Sequence, residues 1–127
     1  MTDKLRLLYV DDEDDIRDLV EMALEDDFEL RLCASGAAAV ALMPQYRPDL
    51  LLLDVMMPWM DGPATLKQLR ELPGGQDIPA IFVTAKVQPQ ELERFKALGA
   101  IGVIAKPFDP MTLADQVRVF WRKDHRD

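Results

Sequence analysis

Asp11 and Asp12, Asp54, Thr84 and Lys106 each stand where an apolar run of this chain stops. The run at 5–10 leads into the aspartate pair and the run at 50–53 into Asp54. Likewise 80–83 leads into Thr84, and 101–105 into Lys106-Pro107. Three carboxylates brought together repel one another unless a cation lies between them, and an oxygen-rich acidic cluster suits Mg²⁺. A hydroxyl and an ammonium opposite them suit an incoming anion. The set reads as a site for a metal and a phosphoryl group, in which a carboxylate can attack phosphorus and hold it as an acyl phosphate. Taken singly, each residue has a plainer reading: a turn aspartate, a β-branched strand residue, a surface lysine. It is their joint placement that carries the chemistry.

That placement requires the four runs to be neighbouring parallel strands, because open parallel α/β sheets bind ligands outside the carboxyl ends of their strands. The chain alternates strand and helix patterns throughout, as such a sheet needs. Residues 50–53 are apolar at every position, which predicts a central strand covered on both faces. Residues 13–26 predict a first helix with Ile16, Leu19, Val20 and Ala23 on one face and Asp12 as its cap. Residues 29–33 alternate like an edge strand. An alanine-rich helix at 36–43 is expected to end at Pro44 and Pro48, and a third helix spans 63–72 with Pro63 in its first turn. The segment 73–75 is a loop. Two more helices follow at 88–98, stopped by Gly99, and at 110–123, with Val117, Phe120 and Trp121 spaced to pack on the core. No internal repeat, linker or low-complexity segment interrupts the pattern.

The blocks Val10-Asp11-Asp12-Glu13, Leu53-Asp54-Val55-Met56-Met57-Pro58, Met60-Asp61-Gly62, Val83-Thr84-Ala85 and Ala105-Lys106-Pro107-Phe108 resemble, in order and spacing, the receiver domain of two-component response regulators. The resemblance implies a flavodoxin-like, doubly wound α/β fold: five parallel strands in the order 2-1-3-4-5 with five helices. That order is one the general account of such sheets already gives for this family. The resemblance also implies a phosphorylation-dependent signalling switch. Asp54 is then the phosphoacceptor, and Thr84 and Lys106 bind the phosphoryl group. Asp12, Asp54 and the backbone carbonyl of Met56 ligate Mg²⁺ or Mn²⁺, with Asp11 acting largely through water. The Lys106-Pro107 bond is expected to be cis. The phosphoryl donor would be a histidine kinase or a histidine phosphotransfer protein, docking near Asp15, Ile16 and Phe108, and a downstream protein would read the surface around Thr84 and the fourth helix.

Two positions depart from the family pattern. Val103 stands where receivers carry a Tyr or Phe, so rotation of an aromatic ring is not the readout. Met56 and Lys86, at the positions that tune phosphoryl lifetime, offer no carboxylate or amide to orient water, and a lifetime that is not short is expected. Trp59, in the loop after Asp54, reads equally as a docking residue or as packing over the site rim.

At 127 residues the chain is expected to be a single receiver domain with a core at about 4–123 and no output domain. The mixed-charge tail, 122–127, is expected to fray, with His125 solvated. A net charge of −8, from 15 basic and 23 acidic residues, argues against binding nucleic acid or anionic membranes. The lone Cys33 excludes an internal disulfide, and no signal peptide or membrane span is evident, so the expectation is a cytoplasmic protein, monomeric or weakly dimeric. Two other readings compete. A haloacid-dehalogenase-type phosphatase or phosphotransferase also uses an aspartyl nucleophile, but normally carries a second aspartate where this chain has Met56. A receiver-like binding module without phosphorylation would not need Asp12, Asp54, Thr84 and Lys106 together.

Overall fold

The computed structural model describes residues 4–125. Strands and helices alternate as β1 (Arg6–Val10), α1 (Asp14–Leu24), β2 (Glu29–Cys33), α2 (Gly36–Tyr46), β3 (Leu50–Asp54), α3 (Gly62–Glu71), β4 (Ala80–Thr84), α4 (Pro89–Ala97), β5 (Ala100–Ala105) and α5 (Leu113–Asp124). All five strands are parallel, in the order β2-β1-β3-β4-β5. The registers Val10↔Leu53, Leu53↔Phe82 and Thr84↔Ala105 bring the carboxyl ends of β1, β3, β4 and β5 level. This is what gathers the residues after each apolar run.

Side chains alternate between the faces of a strand, so each strand feeds two cores. Leu8, Val10, Leu51, Leu53 and Phe82 pack with Ala39 and Met43 of α2, Leu66 and Leu69 of α3 and Phe95 of α4. Leu7, Tyr9, Leu50, Leu52, Ile81 and Val83 pack with Val20 and Leu24 of α1 and Leu113 and Val117 of α5. Every residue of β3 and β4 is buried, matching their unbroken apolar runs. Each fully buried leucine of β3 contributes about 2 kcal/mol by leaving water.

The helix ends differ from the sequence reading in ways the structure explains. α1 begins one residue later and its cap position is Glu13, not Asp12. The first helical bond runs from the Arg17 N–H to the Glu13 carbonyl, at 3.0 Å, and no side chain caps the helix, while the Glu13 N–H donates to the Asp11 carboxylate at 3.0 Å. α2 runs through Pro44 to Tyr46, because one proline removes one backbone bond without stopping the turns beyond it. The helix stops at Arg47, in the left-handed conformation (φ 53), whose N–H returns to the Met43 carbonyl. α5 starts at Leu113 rather than at 110, since Asp109 holds the preceding turn through the N–H groups of Met111 and Thr112. It then continues to Asp124, so the tail is helical further than expected. His125 stacks on the Trp121 ring with centroids 3.6 Å apart. The final residues of the tail lie outside the described residues. Phe120 and Trp121 are half-buried against the α1–α5 side of the sheet, as their spacing predicted.

Candidate functional site

Asp54 ends the central strand and its carboxylate is 2 % exposed, beside Asp11, which is wholly buried. Asp11, Asp12 and Asp54 each bring a carboxylate oxygen within 4.8 Å of the others. Across from them the Lys106 ammonium lies 3.0 Å from Asp11 Oδ2 and 3.0 Å from Asp54 Oδ1, with Glu13 Oε1 at 3.9 Å. Thr84, also buried, is tied to Lys106 through the main chain, the Lys106 N–H donating to the Thr84 carbonyl at 2.9 Å. Its hydroxyl oxygen accepts the Lys86 N–H at 3.0 Å. The four predicted strand ends therefore converge on one site, and the peptide bond between Lys106 and Pro107 is cis.

The electrostatics follow from burial. Burial pushes the Asp54 carboxyl up to about 6, reinforced by Asp11 and Asp12 and opposed by Lys106. Burial alone would lower Lys106, but its hydrogen bonds to Asp11 and Asp54 outweigh this and hold the ammonium above its ordinary range. The donor set is entirely carboxylate oxygen, with a surplus of negative charge that one lysine only partly offsets. It fits a hard divalent cation held by Asp11, Asp12 and Asp54.

Several contributors escaped the sequence reading. Tyr9 donates its hydroxyl to Asp11 Oδ2 at 2.7 Å. Burial and the Asp11 carboxylate raise its phenol far above the usual range, so it keeps its proton. Residues 9 and 11 share a strand face, a period-two signal present in the sequence. Arg17 of α1 donates to the Asp11 carbonyl at 2.8 Å and pairs with Asp14. Gly62 abuts the end of β3: a Cβ there would meet the Asp54 carbonyl oxygen at 2.6 Å, so any larger residue would push the acceptor strand.

The interface candidates divide. Ile16 and Phe108 are half-buried against the α1–α5 core, and Val103 is half-buried on the opposite one, whereas Asp15 and Lys86 are exposed. The Met56 side chain is exposed. Trp59 points fully into solvent at a positive φ of 71, which decides between its two readings in favour of the outward one. No described helix is long and apolar enough to cross a membrane.

The family model of the response regulator receiver domain matches residues 7–118. An uncharacterised 14.6 kDa protein of Leptolyngbya boryana is 36 % identical over 118 residues, covering 92 % of this chain and 90 % of that one. A response regulator of Synechocystis is 36 % identical over 120 residues, or 93 % of this chain but 52 % of its own length. Thus the chain spans about half of several curated relatives it matches. Among solved structures, the Vibrio cholerae chemotaxis protein CheY4 superposes with a TM-score of 0.86 at 32 % identity, covering 92 % of this chain and 98 % of that one. Receiver domains serve phosphorylation-dependent signalling, and the matched motifs, the strand order and the converging acidic site agree. The chain belongs to the response regulator receiver family.

Proposed function

We propose that this chain is a phosphoacceptor switch that takes a phosphoryl group from a phosphohistidine donor onto Asp54. One observation carries the reading: the Asp54 carboxylate is held at the end of the central strand within the acidic cluster, 3.0 Å from a lysine with one buried carboxylate partner besides. Asp12 and Asp54, the Met56 carbonyl and, through water, Asp11 would hold Mg²⁺ or Mn²⁺, which when bound neutralises phosphoryl charge. An Asp54 oxygen attacks phosphorus, the new P–O bond forms as the donor P–N bond breaks, and the released imidazole takes a proton from solvent. Phosphoryl transfer depends mainly on positioning and charge neutralisation, so no separate general base is required. The Lys106 ammonium then exchanges its carboxylate partners for a phosphoryl oxygen, and the Thr84 hydroxyl donates to another. That second contact draws the loop after Thr84 inward, which is the change a partner reads.

The chain acts on no substrate but itself, catalysing its own phosphorylation and a slow loss of phosphate. A histidine kinase or phosphotransfer protein supplies the group, and a downstream protein receives the signal in the cytoplasm. The domain works as a monomer or weak dimer, without contacting nucleic acid or membrane. With Met56 and Lys86 at the tuning positions, the acyl phosphate outlasts seconds in Mg²⁺, which timed acid-quench assays would check. The primary test is intact mass after incubation with acetyl phosphate and Mg²⁺. One added phosphoryl group is expected on wild type, and none without Mg²⁺ or in Asp54→Ala. An adduct that persists in Asp54→Ala would overturn the assignment.

A further inference from the structure

Tyr9 is the one residue of β1 that carries a polar side-chain atom into the core beneath α1 and α5. It is fully buried, and its hydroxyl reaches Asp11 Oδ2 at 2.7 Å. The same oxygen receives the Lys106 ammonium at 3.0 Å, while Asp11 Oδ1 takes the Glu13 N–H at 3.0 Å. Every side-chain oxygen of Asp11 is therefore engaged, and the three donors differ in kind. The Glu13 N–H is main chain and immobile. Lys106 is shared with Asp54 and, on the function proposed above, has to leave for the phosphoryl group. Tyr9 alone offers Oδ2 a hydrogen bond that is both neutral and independent of Lys106.

The geometry points to Tyr9 as a positioning residue: its hydroxyl fixes the Asp11 carboxylate toward the metal and leaves Lys106 free to move. A buried carboxylate oxygen that loses its donor is costly, so without the phenol Oδ2 would depend on Lys106 alone. Asp11 would turn to follow the lysine, and the lysine would be held back from Asp54. Groups that orient a metal-binding carboxylate are worth roughly 10- to 100-fold in metal affinity when removed. The inference rests on the metal site proposed for Asp11, Asp12 and Asp54, and a plain packing role for the ring is the alternative.

Tyr9→Phe keeps the ring and deletes only the hydroxyl, so it separates the two roles. Titrating the full chain with Mg²⁺ alone, by calorimetry and without phosphoryl donor, is expected to show affinity about tenfold weaker in Tyr9→Phe than in wild type. A ring that only packs would leave the affinity unchanged, and that result overturns the proposal. A spectroscopic reading stands beside it. The chain has two tyrosines, so in Tyr46→Phe the tyrosine near-UV signal is that of Tyr9. Mg²⁺ withdrawing charge from Asp11 weakens the phenol hydrogen bond and is expected to shift that signal. No shift while calorimetry registers binding overturns the proposal, even if Tyr9→Phe fails to fold. No Mg²⁺ binding by wild type would instead refute the metal site itself, and the role of Tyr9 with it.

Discussion

Replacing Asp54 with asparagine is expected to stabilise the fold in metal-free buffer, although it destroys the proposed acceptor. The buried carboxyl titrates near 6, against 3.8 for an unperturbed aspartate. Between these values the folded chain holds a proton that the unfolded chain has released, so stability falls as pH rises through the window. Above it the full penalty applies, about 3 kcal/mol at 1.36 kcal/mol for each pH unit. Asparagine has no charge to bury, but it leaves Lys106 with Asp11 as its one buried carboxylate partner, which offsets about 1 kcal/mol. A net gain of about 1–3 kcal/mol remains, or roughly 3–10 °C in Tm for a domain of this size. Thermal or urea unfolding followed by circular dichroism, with chelator present, measures it. At about pH 7.5 the variant should be the more stable, and by about pH 4.5 most of the difference should vanish, because the folded wild type then carries the neutral acid and the remaining cost, set by the unfolded value of 3.8, has fallen to about 1 kcal/mol. A variant no more stable than wild type at neutral pH, or a gain that persists into acid, would refute the claim that a buried charge strains this site.

Lys106→Met removes the cation between two buried carboxylates. It should cost about 3 kcal/mol at neutral pH and less in acid, and an unfolding series across pH would expose a cost that fails to shrink. Gly62→Ala forces a methyl group against the Asp54 carbonyl oxygen, and is expected to cost about 1–3 kcal/mol and to slow phosphorylation by acetyl phosphate. Unchanged stability and rate would show that the loop yields freely. Trp59→Gly relieves a left-handed backbone position with no packing to lose. It should leave stability unchanged or raised by up to about 1 kcal/mol, whereas a clear loss in urea unfolding would mean the ring packs in solution.

The four apolar runs that stop at Asp11, Asp54, Thr84 and Lys106 made the membership of the site legible in the sequence, because strand patterning is local and the runs end on the residues the sheet gathers. The resemblance to receiver domains supplied the strand order and the cis bond at Pro107; the sheet has that order, and the Lys106-Pro107 bond just after β5 is cis. Helix ends were less legible. Whether Pro44 stops a helix depends on where Arg47 turns, and whether Asp12 caps α1 depends on which carbonyl accepts the first helical bond, here that of Glu13. Tyr9 reads along the chain as one more strand residue. Only the closure of β5 beside β4, which brings Lys106 to the same oxygen across 95 residues, makes its hydroxyl part of the site. The sequence by itself determined which groups can bear charge and at which strand ends they sit. The tertiary structure alone decided their ionisation and their partners, because desolvation and hydrogen bonding depend on what the rest of the chain packs around them.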